Sequence, residues 1–297
     1  MVTAAPGRVF LVGCPRSGTT LLQHLLAADT RIFTLPETHF VQNLLRSEDH
    51  RRQQPRRRSM GRLLQEQRRN VLARLCWVPA AQARRAWAGM PDALMPAHIR
   101  GCTRVSTQIS TFVATLDRQC EMTGSQLWLE KTPDHLFYLG HIQRHVPGAR
   151  VIHLLRDGTE VVASLHGAAR RYADWHRFAD LGLAVDRWNH ALLESLRWQH
   201  HPDHLLLRYE QLLLQPQQVI SQLHAFMGLA TGDAMPSSHG THAPLNLVRP
   251  DEPWKSDAAG PLKDRRKFEQ MFTPGQQREI RAGLLPIPAV AQFAPAA

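Results

Sequence analysis

Cysteine is scarce in this sequence, and its four copies stand far apart. No C-x-x-C pair occurs, which argues against a zinc site built from cysteine thiolates. The four positions are Cys14, Cys76, Cys102 and Cys120. Cys14 falls in a loop discussed below, where we expect a small residue that fits the turn rather than a reactive thiol.

Long apolar runs are missing as well. None approaches the ~18 residues that a membrane-spanning helix needs. The first short run, at 9–12, follows Pro6-Gly7-Arg8 and leads directly into a polar loop, which is not the pattern of a signal peptide. We therefore expect a protein of the cytoplasm without a membrane span.

Metal-binding patterns are also lacking. The 17 histidines are scattered along the chain, and none forms an H-E-x-x-H or comparable motif. We predict no metal site, and we interpret most histidines as structural or solvent-facing.

Acidic residues are outnumbered, because 25 Asp and Glu stand against 36 Lys and Arg, for a formal net charge of +11. Anionic partners are expected, and charge alone does not separate nucleic acid from a phosphorylated nucleotide or an acidic substrate. Several arginines fall in the polar segment 46–62. We interpret this segment as an exposed loop, and a contact with an anionic acceptor is the second interpretation.

Short apolar runs alternate with amphipathic stretches along the 297 residues. This alternation predicts an α/β fold with a parallel sheet covered by helices on both faces. The predicted strands are 8–13, 32–35, 126–129, 151–155 and 205–207, and the predicted helices are 18–28, 134–146, 175–200, 216–228 and 274–283. Residues 60–123 are expected to be helical, so we predict one domain, 1–297, with a helical insertion at about 40–125.

One loop carries the strongest signal for chemistry. Behind the apolar run stands Gly13-Cys14-Pro15-Arg16-Ser17-Gly18-Thr19-Thr20. A strand, a tight loop and a helix start aim backbone N–H groups at one point, which is a natural anion seat. The spacing is that of a Walker A loop, but Thr19-Thr20 stand where triphosphatases have lysine and the magnesium-binding hydroxyl residue. The sequence therefore predicts a phosphate cradle without that hydrolytic chemistry.

Charged side chains follow four of the predicted strands. They are Arg16 after the first strand, Glu37 after the second, Lys131 after the third and Arg156 after the fourth. Ligands of parallel α/β folds bind at the carboxyl ends of the strands, so we expect these side chains to converge on one site.

Three segments together resemble the sulfotransferases that use 3′-phosphoadenosine-5′-phosphosulfate (PAPS). They are Pro15-Arg16-Ser17-Gly18-Thr19-Thr20, Glu130-Lys131-Thr132-Pro133, and Leu155-Arg156-Asp157-Gly158 with Ser164 eight residues after the arginine. Tyr209-Glu210-Gln211-Leu212 matches a further family segment, so the resemblance covers roughly 8–40 and 126–228. The first loop and Glu37 are similar to tyrosylprotein sulfotransferases, the second segment to heparan-type enzymes, and the chain as a whole to soluble bacterial members.

The resemblance implies a P-loop-like fold and a role for each matching residue. The loop residues Arg16, Ser17, Gly18, Thr19 and Thr20 would bind the 5′-phosphosulfate, and Arg156 with Ser164 the 3′-phosphate. We assign Lys131 to the charge that develops on the bridging oxygen. Salt bridges of Lys131 with Glu130 and of Arg156 with Asp157 are the structural alternatives.

Glu37 is the proposed general base, because a partly buried carboxylate at a strand end can take a proton from a hydroxyl. His39 is the competing candidate. Tyr209 is a candidate for lining the nucleotide pocket. Trp254, Lys255 and the basic cluster at 263–267 either close over the nucleotide, as late basic segments do in related enzymes, or form a solvated face.

The resemblance implies an enzyme that moves a sulfuryl group from PAPS to a hydroxyl or amine without a metal. A P-loop kinase or nucleotide triphosphatase is one alternative, and the missing loop lysine argues against it. A nucleic-acid-binding protein is another, but no helix-turn-helix, zinc-finger or aromatic RNA-binding signature accompanies the charge. A small molecule, a sugar and a peptide all stay open as acceptors, and so does the oligomeric state.

Overall fold

A five-stranded parallel sheet forms the centre of the molecule. The structure is a computed structural model and describes residues 5–45, 77–96, 103–230, 247 and 267–288. The strands are β1 (Gly7–Gly13), β2 (Ile32–Thr34), β5 (Leu127–Lys131), β6 (Ala149–Leu155) and β7 (His204–Arg208), and they lie side by side in the order β2-β5-β1-β6-β7. Each lies within two residues of its predicted bounds, and the predicted parallel α/β architecture is confirmed.

Helices fill the connections between these strands, as parallel pairing requires. They are α1 (Thr19–Leu26), α2 (40–45 as described), α3 (Ala80–Trp87), α4 (Val105–Met122), α5 (Leu139–His145), α6 (Gly158–Ala169), α7 (Leu181–Arg197), α8 (Tyr209–Leu214), α9 (Pro216–Met227), α10 (Phe268–Met271) and α11 (Pro274–Gly283). Short 3₁₀ helices occupy Asp92–Leu94, Pro133–Tyr138 and Ala173–Ala179.

The sheet is apolar on both faces. Consecutive strand residues are apolar, and successive side chains of a strand point to opposite sides. Val9 and Leu11 of β1 belong to one core cluster, together with residues of α1 and α9. Phe10 and Val12 belong to the other, together with residues of α4, α6 and α7. Two buried layers of side chains therefore fix the sheet between its helices and leave the strand ends as the place for polar groups.

The insertion differs in part from the helical prediction for 60–123. Its described residues include α3 and α4, but also an antiparallel pair of two-residue strands, β3 (Trp77–Val78) and β4 (Thr103–Arg104). The Arg104 guanidinium lies 5.5 Å from the centre of the Trp77 ring. Aromatic and β-branched residues at 77, 78 and 103 favour extended pairing over helix, which explains the difference.

Two helix starts also differ from the prediction. The predicted helix 134–146 begins as a 3₁₀ helix and becomes α-helical only at Leu139. The predicted helix 175–200 begins at Leu181, where the Asp180 side chain accepts a hydrogen bond from the N–H of Leu183. No helix among the described residues is long and apolar enough to cross a bilayer.

Candidate active site

The carboxyl ends of five neighbouring strands each contribute one side chain to the same edge of the sheet. In sheet order, from β2 to β7, these are Glu37, Lys131, Arg16, Arg156 and Tyr209. The five lie far apart in sequence, and parallel pairing is what aligns them. The convergence that the sequence predicts is therefore present in the fold.

The loop between β1 and α1 has the backbone geometry of an anion seat. Arg16 has a φ of 74° and Gly18 a φ of 98°, both in the left-handed region. Gly18 is the N-cap of α1 and has no side chain that could cap the helix. The first turn of α1 contains no acidic residue. The first-turn N–H groups are thus directed at one point without a capping carboxylate.

Ser17 adds an unsatisfied polar group to this loop. Its side chain is buried, and its Oγ has no hydrogen-bond partner among the residues that the structure describes. The Ser17 N–H donates to the Cys14 carbonyl at 3.1 Å, which closes the turn. A buried hydroxyl without a partner fits a loop that receives an oxygen-rich ligand.

Gly18, Tyr209 and Arg156 form a stack beside the loop. A Cβ at Gly18 would lie 2.6 Å from Cε2 of Tyr209, so glycine is required both by φ and by the ring. The Arg156 guanidinium lies 4.6 Å from the centre of the same ring. The tyrosine therefore separates the loop backbone from a cation and holds both in place.

Arg16, Arg156 and Ser164 are brought together, as predicted. Arg16 Nε donates to Ser164 Oγ at 3.2 Å, and Arg156 Nη1 donates to the Arg16 carbonyl at 3.5 Å. Arg156 pairs with Glu160 at 3.6 Å, one helical turn on, rather than with Asp157. Two guanidinium groups and a hydroxyl thus lie between the loop and the first turns of α6.

Asp157 has a structural role at this point. Its carboxylate accepts hydrogen bonds from the N–H groups of Thr159 and Glu160, which makes it the N-cap of α6. The sequence predicts this cap, and the structure confirms it. Asp157 is thus engaged at the helix start, and the acidic partner of Arg156 is Glu160.

Lys131 lies at the other side of the loop and is fully buried. Its Nζ makes an ion pair with Oε1 of Glu37 and donates to Thr20 Oγ1 at 3.2 Å. Burial and the Lys131 charge lower the pKa of the nearby His24. The alternative pairing of Lys131 with Glu130 does not form, because successive strand residues face opposite sides of the sheet.

Glu37 and His39 face each other across a short turn. Glu37 is buried, whereas the His39 side chain is about a third exposed, and His39 Nε2 lies 3.4 Å from Glu37 Oε2. His39 has a φ of 50°, which places a non-glycine residue in the left-handed region. His39 Nδ1 also lies 3.2 Å from Gln42 Oε1, a contact that the sequence did not predict.

Cys14 is buried beneath the loop. Burial raises the pKa of its thiol to about 12, and the nearby Arg187 only partly offsets this. A thiol with this pKa is almost entirely protonated at neutral pH, which agrees with the interpretation of Cys14 as a packing residue.

Lys255 and the segment 46–62 fall outside the described residues. Within the described ranges, no group of three or more His, Cys, Asp or Glu side chains is arranged to hold a metal ion. Sequence reasoning missed Glu160, which its i, i+4 spacing from Arg156 signals. It also missed Trp175, whose ring centre lies 6.0 Å from the Arg16 guanidinium and for which we find no sequence signal.

Known proteins resemble the chain in sequence and in fold. A curated protein of Aquifex aeolicus (strain VF5), named only as uncharacterized, is 23% identical over 274 residues; the match covers 90% of this chain and 31% of that protein. The chain therefore spans about a third of that relative's length.

Two solved structures share the fold. The sulfotransferase domain from the curacin biosynthetic pathway is 20% identical, with 94% of this chain and 98% of that chain covered and a TM-score of 0.52. Mouse sulfotransferase SULT7A1, complexed with PAP, is 15% identical, with 93% and 82% covered and a TM-score of 0.53. The model of the sulfotransferase family matches residues 6–233, most of the chain, and the chain accordingly belongs to the sulfotransferase family.

Proposed function

We propose that the protein transfers a sulfuryl group from PAPS to a hydroxyl or amine acceptor, with Glu37 as the general base. One observation carries this proposal: the order Glu37, Lys131, Arg16, Arg156, Tyr209 along neighbouring strand ends. It puts a base, a buried cation, an anion loop and a second cationic site in one row. The mouse sulfotransferase that shares the fold was crystallised with PAP, the desulfated form of PAPS, which supports this type of donor.

The residues present fit a donor that is anionic at two points. The loop between β1 and α1 offers first-turn N–H groups, the Arg16 guanidinium and the unpartnered Ser17 hydroxyl to one anion. Arg156 and Ser164, both in contact with Arg16, suit a second anion beside the first turns of α6. We infer that the loop binds the 5′-phosphosulfate and that the Arg156 side binds the 3′-phosphate.

PAPS, when bound, supplies the sulfuryl group and a phosphate leaving group. Sulfuryl transfer resembles phosphoryl transfer in its loose transition state, so positioning and charge stabilisation do most of the catalysis. Lys131 and Arg16 are the cations on either side of the loop, and Thr20 holds the Lys131 ammonium toward it. These groups would stabilise negative charge on the leaving oxygen.

Glu37 places a buried carboxylate beside the loop. It is 4% exposed and forms an ion pair with Lys131. His39 is more exposed than Glu37, and the ion pair with Lys131 is made by Glu37, so we assign the base to Glu37 and a supporting position to His39. The proton of the acceptor would go to Glu37 as the acceptor oxygen or nitrogen bonds to sulfur.

The test of donor binding is a thermal-shift titration with PAP and, separately, with ATP. Ligand binding stabilises by RT ln(1 + [L]/Kd), which is about 2.7 kcal/mol at a concentration of 100 Kd. We expect a large shift with PAP and little with ATP. Arg156→Ala should remove the preference, while Arg197→Ala, whose side chain is exposed on α7, should not. Equal shifts with both nucleotides would contradict the assignment of the 3′-phosphate site.

The test of the base is turnover, measured as PAP formed from PAPS with a panel of alcohols, phenols, sugars and amines. Glu37→Gln keeps the size of the side chain but cannot accept a proton. We expect this variant to bind PAP as the wild type does and to lose turnover. Intact turnover in Glu37→Gln would remove Glu37 from the mechanism, and His39→Gln would then be tested in the same way.

A further inference from the structure

The turn that carries Glu37 is fixed by side chains on both of its flanks. The N–H groups of four consecutive residues, 38–41, all donate to side-chain atoms rather than to the backbone. The acceptors are Glu130 Oε1 for Thr38 (3.4 Å), Thr132 Oγ1 for His39 (3.2 Å), Thr38 Oγ1 for Phe40 (3.1 Å) and His135 Nε2 for Val41 (3.1 Å). Since helix α2 begins at residue 40, these bonds also satisfy its first donors.

Glu130 is the centre of this arrangement. It is fully buried, and it accepts hydrogen bonds from Thr38 Oγ1 at 2.8 Å, Thr132 Oγ1 at 2.6 Å and His135 Nδ1 at 2.8 Å. Burial alone would raise the pKa of Glu130, but His135 and the hydroxyl donors outweigh it and lower the pKa. A buried carboxylate with this many donors stays ionised and holds its partners in fixed positions.

His135 is oriented by the same contacts. Its Nε2 accepts the N–H of Val41, so Nδ1 carries the ring proton and donates to Glu130. The ring therefore joins the carboxylate to the start of α2 in a single tautomer. Its packing against Phe10, with ring centres 6.2 Å apart, keeps it in the core beneath the sheet edge.

We propose that Glu130 and His135 are positioning residues for the proposed base Glu37, an inference that rests on the function proposed above. Glu130 and Lys131 are successive residues of β5, and they contact successive residues of the turn, Thr38 and Glu37. Because the two β5 side chains point to opposite faces, they hold the turn from two sides. The Glu37 carboxylate is thereby kept beside the loop, where the acceptor of the sulfuryl group would bind.

Glu130→Gln tests this arrangement without changing the size of the side chain. The new amide keeps an acceptor for Thr38 and Thr132, but it turns an N–H group toward the Nδ1–H of His135. His135 can remove the clash only by moving its proton to Nε2, which then meets the Val41 N–H. One bond of the turn is lost in either case. His135→Phe removes both bonds and keeps a ring against Phe10.

The kinetic readout is PAP formed from PAPS with water as the acceptor, which needs no knowledge of the natural acceptor. We expect kcat in Glu130→Gln and His135→Phe to fall by about 100-fold, because a displacement of about 1 Å has this effect, with the Kd for PAP unchanged. In a Glu37→Gln background, the same substitutions should cause no further fall, since their effect passes through Glu37. A fall of equal size in both backgrounds would overturn the proposal.

Amide hydrogen exchange of the peptide 36–42 measures directly how well the backbone N–H groups of the turn are protected. We expect faster exchange in both variants, with exchange in α6 unchanged. Asp29→Asn is the matched control, because Asp29 is another buried carboxylate, with Arg31 as its ion-pair partner and His224 beside it, away from the site. Unchanged exchange of 36–42 in Glu130→Gln would overturn the positioning role. If the wild type gave no PAP-specific thermal shift while exchange responded as expected, the proposed function would fail and the structural link would stand.

Discussion

The ammonium of Lys131 and the carboxylate of Glu37 form an ion pair in which neither side chain is more than 6% exposed. The two residues come from the ends of adjacent strands, 94 positions apart in sequence. Removing one partner of a buried pair leaves an uncompensated charge, which costs more than the pair itself contributes. The pair therefore links the stability of the protein to its proposed chemistry.

Lys131→Met should lower the free energy of unfolding by about 3–5 kcal/mol, because Glu37 loses its buried counter-ion. The double variant Glu37→Gln/Lys131→Met should regain most of this loss, since no buried charge is left without a partner. Urea denaturation of the wild type, both single variants and the double variant measures the coupling. Additive losses would mean that the two side chains do not interact in solution.

Gly18→Ala should impair both folding and PAP binding. Alanine would have to adopt a φ of 98°, and its Cβ would lie 2.6 Å from the Tyr209 ring. Either the loop or the ring must move, and the anion seat loses its shape. We expect a loss of about 1–3 kcal/mol in stability from the strained backbone alone and at least a tenfold weaker PAP affinity.

Gly275→Ala in α11 is the control for Gly18→Ala, because a Cβ there meets nothing within 4 Å. This variant should be as stable as the wild type or slightly more stable, since alanine favours helix. Thermal denaturation and PAP titration of the two variants give the comparison. Tight PAP binding by Gly18→Ala would show that the loop does not need its glycine for the ligand.

Cys14 and Cys120 should resist alkylation in the folded protein. Burial raises the pKa of Cys14 to about 12 and that of Cys120 to about 11. Only about one Cys14 thiol in 10⁴ is ionised at pH 8, and the thiolate is the reactive form. Mass spectrometry after iodoacetamide treatment should find both unmodified in the native state and modified in urea. Rapid native alkylation of Cys14 would reveal a reactive thiol in the loop.

The sequence was sufficient to predict the strands of the central sheet and the convergence of Arg16, Glu37, Lys131 and Arg156 at its edge, whereas the strand order comes from the structure. Strands such as β1 and β6 are buried on both sides, so their sequences are nearly continuous apolar runs that can be recognised without a structure. The Asp157 cap was also predictable, because an Asp directly before the first helical residue is a local signal. The hydrogen bond of Arg16 to Ser164 was not, because it joins segments 148 positions apart.

The partners of Glu130 and Lys131 were not predictable. Glu130 lies in a strand and is fully buried, although its residue type favours the surface, and its four donors come from two separate segments. Likewise, Lys131 has an acidic neighbour in sequence but pairs with Glu37, because strand geometry turns neighbouring side chains apart. Such pairings depend on tertiary contacts that no local pattern contains.

His153 of β6 and His204 of β7 are two buried histidines in contact with each other, and they lead to a prediction about pH. Gln143 Nε2, which lies 3.3 Å from the Ala149 carbonyl and donates to it, also donates to His204 Nε2 at 2.8 Å. His204 therefore carries its proton on Nδ1 and donates to His153 Nε2 at 2.9 Å. Burial, reinforced by the neighbouring histidines, lowers the pKa of His204 to about 3 and that of His153 well below 6.5.

Acid should therefore destabilise the protein through this pair. The folded state keeps both rings neutral, whereas the unfolded chain binds protons at the ordinary pKa of 6.5. The free energy of unfolding should fall as the pH drops below 6.5, by about 1.4 kcal/mol per pH unit for each histidine, and the contribution of His204 levels off only near pH 3. His153→Gln removes one of the two groups, so its unfolding free energy should fall less steeply between pH 6 and pH 5, whatever its stability at pH 7. Urea denaturation of both proteins across this range measures the two slopes, and equal slopes would show that His153 is not held neutral by the fold.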